Sequence, residues 1–382
     1  MASTISSPHR LLGLAGSGSL LAATVGAGLV LTAAPAGAST ITVQNLNDSG
    51  IGSLRQAIID ANTSPTDDVI DFAPGLTGTI SLTGGKMVVS DEVSIVGPGS
   101  ADITIDAGGA SQIFYIYDVA HVGALDVTIS GLTLTNGYSS SWGGGALASW
   151  SANTTLRDIT ITDSTAVGGV RVGRGGAILH ALATSAQGRD AILTLENCHL
   201  SGNSAGHNGG AIALYLSGGA NIVDSVIENN TAANNGGAIY EDQSIALTTI
   251  TRTRISGNTA VDGSAIRIQR QDVAAHDGLE SVSITGNTAT GQAGAAVSLD
   301  HNLGSTDIFT STIADNTGGG VTGFDATALH IMHSTVAGNT GIGVRSFNRG
   351  MNIDESILAD NGSDLGSSAD VNWSLVETGD LN

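Results

Sequence analysis

Acidic, basic and aromatic residues recur at fixed positions after a repeated Gly-Gly-Ala-Ile phrase. One copy of the phrase is followed directly by Tyr240, Glu241 and Asp242. The next copy is followed by Arg267, and a later one by Asp300. Carboxylates beside an arginine can perform general acid–base chemistry on a sugar chain, and aromatic rings can stack on its sugar rings.

Four residues are the candidates for catalysis: Glu241, Asp242, Arg267 and Asp300. A glycoside hydrolase needs two carboxylates about 5–10 Å apart. Asp242 and Asp300 are two repeats apart, which is about 10 Å if each repeat is one coil of stacked strands. A polysaccharide lyase needs a base beside a cation that neutralises charge, and Arg267 or Ca²⁺ would be that cation. The alternative is that these charges form an ordinary solvated strand face.

The same positions define a candidate ligand-binding face. The first and third residues after the aliphatic residue of each phrase are predicted to point away from the core. Aromatic rings beside carboxylates and arginines on a flat sheet are suited to bind sugars. In the alternative interpretation, loops from neighbouring corners cover the face and make the aromatic residues a second, smaller core. The predicted face consists of Trp150, Tyr215, Tyr240, Asp242, Arg267, Asp300, Phe324 and Phe347.

The period of the phrase identifies the elements that carry this face. One position, most often Asn, recurs at intervals of 22 to 29 residues, with a single interval of 39. Such repeats of β-forming and turn residues predict a solenoid, a parallel β-helix of about 12 coils that each rise about 4.8 Å. The long interval predicts a loop insertion near residues 183–190. The recurring position is Gly137, Ser164, Asn203, Asn230, Asn258, Asn287, Asn316, Asn339 and Asn361.

The repeated residues are predicted to be corners of the coil. Asn tolerates unusual backbone angles, and its amide can bond to the Asn one coil above. The Gly-Gly pair takes conformations that a side chain would forbid, and Ala-Ile then enters the next strand. Cys198 is the only cysteine, and it falls in a stack of mostly small residues. It is therefore predicted to be a buried structural thiol, and the chain has no intramolecular disulfide.

The N-terminal segment is predicted to be a leader. Residues 1–38 combine a weakly basic start, an apolar stretch from Leu11 to Leu31 and a small-residue cleavage site, which predicts a signal peptide cleaved after Ala38. The mature chain would then be secreted or held at the cell surface, and it shows no transmembrane span.

The remaining chain divides into a cap and a solenoid. Residues 39–68 are predicted to form a strand and a short capping helix, opened by Ser53 and Gln56 as a capping box. Residues 69–382 form the predicted β-helix, whose abrupt end indicates either a truncated chain or a last coil that a partner covers. The helix is predicted to bury Leu54, Ala57, Ile58 and Ala61.

Composition excludes several partners. The 382 residues carry a net charge of −21 with only 13 Lys and Arg, which argues against binding nucleic acid or anionic lipid. The acidity favours solubility, or Ca²⁺ binding outside the cell; no other cofactor is predicted.

His330 and His333 lie close in sequence, but a third zinc ligand at a recognisable spacing is missing. No compact catalytic motif is present.

Two stretches resemble a known group of proteins. Gly52-Ser-Leu-Arg-Gln-Ala-Ile58 is similar to a C-S-L-R-E-A-I segment, with Gly for Cys and Gln for Glu. The Asn-Thr-Ala and Gly-Gly-Ala-Ile phrases resemble the repeats of polymorphic outer-membrane proteins, which are surface adhesins. Residues 41–376 therefore resemble secreted bacterial β-helix proteins of the pectin-lyase-like superfamily. The resemblance implies an all-β, right-handed, single-stranded parallel β-helix, but no catalytic residue, because this coil carries lyases, hydrolases, epimerases and adhesins.

Three classes of function follow. The favoured one is adhesion or glycan binding by a secreted or cell-surface protein, with a polysaccharide or a cell-surface glycan as partner. The second is a polysaccharide lyase or glycoside hydrolase acting on an extracellular polysaccharide. The third is a structural or ice-binding rod, because hydroxyl residues from Thr165 to Thr340 follow the recurring Asn position.

Overall fold

The computed structural model describes most of the chain from Ser39 onward. The predicted signal peptide and the predicted insertion at 183–190 both lie outside the described residues. Within the described ranges, no helix combines the length and apolar character needed to cross a membrane. Those ranges are 39–64, 66–117, 124–169, 172–182, 191–216, 219–243, 247–270, 275–292, 294–347, 351–366 and 369–377.

The described chain winds as a parallel β-helix, as predicted. A typical coil runs through a front strand Ile212–Tyr215, a side strand Ala220–Val223, a rear strand Val226–Glu228 and a corner strand Thr231–Ala232. The next front strand, Ile239–Asp242, then pairs in parallel with the first. Each coil therefore adds one strand to each array, and every coil bonds mainly to the two beside it.

The front and side strands form one 22-stranded sheet. Two long strands, Ala295–Phe309 and Gly319–Met332, run from the front position into the side position without a break and so join both arrays. The other front strands are Met87–Val89, Phe114–Tyr117, Leu147–Trp150, Ile178–Ala181, Ile212–Tyr215, Ile239–Asp242, Ile266–Arg270, Ile342–Ser346 and Ser363–Leu365. The other side strands are Thr40–Val43, Asp68–Phe72, Val93–Val96, Leu125–Ser130, Ala152–Arg157, Leu193–Glu196, Ala220–Val223, Thr248–Thr251, Ala275–Glu280, Met351–Asp354 and Asp370–Asn372.

The rear strands form a 12-stranded sheet and the corner strands a 6-stranded one. The rear strands are Gly78–Ser81, Ile103–Asp106, Thr133–Thr135, Thr160–Thr162, His199–Ser201, Val226–Glu228, Arg254–Ser256, Ser283–Thr285, Thr312–Ala314, Thr335–Ala337, Ile357–Ala359 and Leu375–Val376. The corner strands are Tyr138–Ser139, Thr165–Ala166, Ser204–Ala205, Thr231–Ala232, Thr259–Ala260 and Thr288–Ala289. Most of the predicted hydroxyl row lies on these two-residue corner strands rather than on a wide flat sheet.

A short helix, Leu54–Ala61, lies at the start of the solenoid, as predicted. The Ser53 hydroxyl accepts a hydrogen bond from the Gln56 N–H at 3.2 Å, which satisfies one of the free donors of the first turn. The helix contacts the strands of the first coils and covers apolar surface that would otherwise meet water. Its buried side chains are the four predicted ones, Leu54, Ala57, Ile58 and Ala61.

A ladder of asparagine side chains fixes each coil over the next. From Asn230 to Asn361, the Oδ1 of each ladder Asn accepts two hydrogen bonds from the Asn one coil earlier, one from its backbone N–H and one from its Nδ2. For Asn258, the donors are the N–H of Asn230 at 2.9 Å and its Nδ2 at 3.0 Å. The Nδ2 of Asn258 donates in turn to Asn287 Oδ1 at 3.0 Å and to Ile227 O at 3.0 Å. The predicted ladder is confirmed from Asn203 to Asn361.

Each coil turns sharply at left-handed residues. The residue before the ladder position has a positive φ, for example Asn229 at 56° and Gly257 at 66°. A second left-handed residue precedes the side-to-rear corner, for example Asp224 at 51° and Arg252 at 46°. Such backbone costs about 1–2 kcal/mol for a residue with a side chain, so the stacked neighbours must hold it in place.

The Gly-Gly pair is required for two different reasons. The first glycine has a positive φ, as at Gly209 with 71°. The second has no such angle, but a Cβ added to Gly210 would lie 2.0 Å from the carbonyl oxygen of Gly237. Backbone of adjacent coils therefore meets directly at this corner, which only glycine permits.

Cys198 is buried in a stack of small residues, as predicted. Its thiol hydrogen bonds to Leu156 O at 3.3 Å and to Glu196 O at 3.4 Å. Burial raises the pKa of the Cys198 thiol to about 12, so the thiol is protonated and unreactive at neutral pH. In the next coil, Ser225 occupies the position that corresponds to Cys198. The Ser225 Oγ accepts a hydrogen bond from the Cys198 N–H at 3.1 Å.

The interior also contains polar residues. His180 is fully buried between the register positions of Ser149 and Leu214, and its Nε2 lies 3.0 Å from Ala191 O. A carbonyl only accepts, so Nε2 carries a proton and donates it to this hydrogen bond. Burial lowers the pKa of His180 to about 4.

Removing one amide from the ladder should destabilise the solenoid strongly. Asn258→Ala strands the N–H of Asn230 and the carbonyl of Ile227 without their hydrogen bonds. We expect the free energy of unfolding to fall by about 3 kcal/mol or more in urea titrations. The matched control is Asn221→Ala on an exposed side strand, where the loss should stay below about 0.5 kcal/mol. Equal effects of the two substitutions would contradict the ladder's role.

Protonation of His180 should make the fold sensitive to acid. Between pH 6.5 and the folded pKa of about 4, the unfolded chain binds a proton that the folded chain does not. The free energy of unfolding should therefore decrease as the pH falls, by about 2 kcal/mol at pH 5. His180→Leu should remove this part of the decline, whereas His199→Leu on a rear strand should keep it. An unchanged pH profile for His180→Leu would contradict this assignment.

Candidate functional site

The front face consists of the outward side chains of the front strands. In Ile239–Asp242, the side chains of Tyr240 and Asp242 point outward, and those of Ile239 and Glu241 point into the core. The paired strands stack these outward side chains in two rows parallel to the solenoid axis. The inner row includes Tyr115, Ala148, Leu179, Ala213, Tyr240, Arg267, Ser298, Thr322 and Arg345, and the outer row Tyr117, Trp150, Ala181, Tyr215, Asp242, Gln269, Asp300 and Phe324.

The middle of the front face is covered rather than open. Leu179, Ala181 and Ala213 form a buried apolar cluster outside the main core, and Trp150 and Tyr215 pack against it. Trp142 lies edge-on to the Trp150 ring, with their centroids 6.0 Å apart. The sequence left two interpretations open, an exposed ligand face and a small apolar core outside the main one. In this part of the face, the aromatic residues form the small apolar core.

Arg174 organises the adjoining coils. Its guanidinium lies 4.4 Å from the Tyr215 ring centroid and 6.0 Å from that of Tyr240. It also forms an ion pair with Asp242 at 3.3 Å. Burial raises the pKa of Asp242 while Arg174 opposes that rise, and burial raises the pKa of Tyr240 to about 12. Burial and the Arg174 charge together lower the pKa of His207.

Arg267 sits in a network of acidic and hydroxyl groups. It forms ion pairs with Asp262 at 2.9 Å and with Asp300 at 3.2 Å. It also donates a hydrogen bond to the Ser298 hydroxyl, which itself donates to Asp262 at 2.7 Å. The guanidinium lies 5.4 Å from the centroid of the Phe324 ring. The structure thus brings Arg267 and Asp300, two of the candidate residues, into contact.

Two phenylalanine rings form an accessible part of the front face. Phe324 and Phe347 stack nearly parallel, with centroids 5.2 Å apart and an interplanar angle of 11°. Phe347 is 51% exposed, and its ring lies 5.2 Å from the guanidinium of Arg345. Cations on both sides therefore hold a flat aromatic surface at the level of the sheet.

A second aromatic group lies toward the N-terminal end of the front face. Tyr115 and Tyr117 have ring centroids 5.9 Å apart, and Lys86 Nζ lies 3.6 Å from the Tyr115 centroid. Both tyrosines share their rows with Ala148 and Trp150. The outward positions were predicted from the Ala-Ile phrase, which begins only at the strand of Ala148, so these two tyrosines were not predicted. The alternation of aliphatic and aromatic residues from 113 to 117 was the available signal.

A third row of side chains, at the position before the first corner glycine, was not predicted from the sequence. Arg174, Asn208, Asn235 and Asp262 all stand directly before the glycine that opens the corner, and bridges pair Arg174 with Asn208 and Asn235 with Asp262. The signal was the charged residue at this position in two of the repeats. We use the name paired-charge group for Arg174, Asp242, Arg267, Asp262 and Asp300.

Glu241 does not belong to the front face. It is fully buried, in register with Leu214 and Ile268, because it follows the inward Ile239 by two residues on a strand. Asp242 and Asp300 lie two coils apart, about 10 Å by the coil rise. Each is bound by a different arginine, so the four residues predicted for catalysis do not converge on one point.

Metal ligands are not clustered in the described part of the chain. No three His, Cys, Asp or Glu residues there form a group that could hold a metal ion, Ca²⁺ included. His330 pairs with Asp307 at 2.9 Å and His333 with Glu355 at 2.8 Å. The two histidines therefore have separate partners.

A family model agrees with the observed fold. A family model described as "Right handed beta helix region" matches residues 181–372, half of the chain. No curated protein matches this sequence. The A-module of mannuronan C-5 epimerase AlgE6 from Azotobacter vinelandii is similar at 15% identity and TM-score 0.48, covering 86% of this chain and 96% of that one. PfbA, a surface adhesin of Streptococcus pneumoniae, is similar at 9% identity and TM-score 0.37, covering 84% and 87% respectively.

Proposed function

Because this chain belongs to the right-handed β-helix family, we propose that it is a secreted or cell-surface protein that binds a glycan chain along its front face. Adhesion to polysaccharide or to cell-surface glycans would follow from such binding. The proposal places the site on the outward rows of the front strands and assigns no role to Glu241.

The observation that supports this proposal best is the Phe324–Phe347 pair. A flat aromatic surface offers the C–H faces of a sugar ring a large contact area at little conformational cost. The rings are nearly parallel, and Phe347 is half exposed. Arg267 and Arg345 lie beside them, so the surface is organised before a ligand arrives.

The tyrosines at the other end provide a second aromatic group on the same face. Tyr115 and Tyr117 lie in the two rows that lead to Arg345 and Phe324. Eight coil rises separate the first of these strands from the last, which is about 40 Å. A polymer with many sugars could therefore contact aromatic groups at both ends of the face.

Removal of the exposed ring should weaken glycan binding. We expect Phe347→Ala to lower the affinity for a glycan selected on an oligosaccharide array by about tenfold, because one stacking contact is lost. The measurement is titration calorimetry with wild type and variant. Phe309→Ala is the matched control, since that ring is also exposed but lies on the side part of its strand, against His333. Unchanged affinity in Phe347→Ala would reject the proposed surface.

A second candidate function is cleavage of an extracellular polysaccharide, and Asp242 is the observation that favours it. This carboxyl is 8% exposed and has a raised pKa, and it lies beside Arg174. Carboxyl groups serve as acid–base catalysts of glycan cleavage, and a neighbouring guanidinium can stabilise negative charge.

Cleavage predicts products that can be counted. Wild type should release reducing ends or unsaturated ends from a panel of neutral and acidic polysaccharides, and Asp242→Asn should abolish the release. Asp224→Asn, at an exposed ion pair with Arg252, is the control that should keep it. Absence of release across the panel, with and without Ca²⁺, would reject catalysis and leave glycan binding as the function.

A further inference from the structure

The charges on the front face are largely matched to one another. In the paired-charge group, Arg174 faces Asp242, and Arg267 faces Asp262 and Asp300. The two other described cations of the face lie against aromatic rings at its opposite ends, Lys86 at Tyr115 and Arg345 at Phe347. Four cations and three carboxylates leave the described face close to neutral.

A nearly neutral face cannot compensate a strongly charged polymer. A polyuronate carries one carboxylate per sugar, so a chain that covers the face would bring a row of negative charges. The whole protein carries a net charge of −21, which repels such a chain before contact. The arginines of the paired-charge group would have to leave their aspartates to bind a uronate, at the cost of stranding partly buried carboxylates.

The geometry of the rows favours a linear chain. The outward rows run parallel to the solenoid axis, and Tyr117 and Phe324, toward opposite ends of the face, occupy the same row. Each coil rises about 4.8 Å, which is close to the length of one sugar unit in an extended glycan. Each sugar that contacts the face would therefore lie at nearly the same position relative to its coil.

We infer that the glycan bound by the front face is a linear, neutral polysaccharide that lies parallel to the solenoid axis. This inference rests on the proposed function and names the class of its ligand. Stacking on Phe324 and Phe347 supplies the contact area. The paired-charge group supplies hydrogen-bonding groups whose charges are already paired with one another.

The first test compares neutral and acidic glycans of the same length. Calorimetry is performed with linear gluco- and manno-oligosaccharides and with mannuronate and galacturonate oligosaccharides, at low and at high salt. We expect the best neutral series to bind at least about tenfold more tightly and with little effect of salt. Any uronate binding should strengthen as salt screens the repulsion. Neutral affinity should also increase with chain length.

The second test reverses the preference. The double variant Asp262→Asn/Asp300→Asn leaves Arg267 without its two carboxylate partners but keeps oxygen acceptors in place. We expect its affinity for uronate oligosaccharides to rise by about tenfold and to become weaker with added salt. Asp224→Asn is the control, because it frees Arg252 at an exposed pair on another surface and should change nothing.

The outcomes separate this inference from the proposed function. Tighter binding of uronates by wild type, weakened by salt, would overturn the neutral-ligand inference and leave glycan binding intact. Binding of no glycan in either series would overturn both. Circular dichroism checks the fold of the double variant, and if it does not fold, the wild-type comparison alone decides.

Discussion

The asparagine ladder is the constraint on which the rest of the structure depends. Each Asn of the ladder binds the backbone N–H and the side chain of its counterpart, so the relative rotation of adjacent coils is fixed at one corner. This fixed rotation also determines the register in which the following strands pair. A slip of one residue in a front strand would turn Tyr240 and Asp242 inward and expose Ile239. The alignment of the outward rows is therefore a consequence of hydrogen bonds made in the interior.

The ladder also stabilises a strained backbone. Left-handed residues stand at two corners of many coils, and several of them carry side chains, such as Asp224 and Asn229. Backbone of adjacent coils meets at Gly210 without room for a Cβ. These conformations persist because stacked coils determine them from both sides.

Sequence reasoning predicted the fold well because the period of the phrase carries it. The position of Asn203 and its counterparts predicted the coil, the ladder and the strand register, and Ser53 predicted the start of the helix. The candidate site was predicted less well. Glu241 was proposed beside Asp242 although alternation along a strand places them on opposite faces.

Other features of the site had no periodic signal. Arg174 and Asp262 stand before the glycines, outside the counted rows, so their ion pairs with Asp242 and Arg267 were not predicted. The cover over Ala181 and Ala213 depends on how the side chains of Trp150 and Tyr215 pack against them. Such contacts join residues far apart in sequence, and the repeat alone does not determine them.

The way the coils bond has a consequence for how such a protein changes over evolution. Most of the hydrogen bonds of a coil go to the coils directly before and after it, and each coil brings its own ladder Asn and corner glycines. A duplication or deletion of one whole repeat in the gene would therefore preserve every remaining contact type. It would lengthen or shorten the front face by one step. Insertions of other lengths would be accommodated only at the corners, where they leave the phase of the strands unchanged.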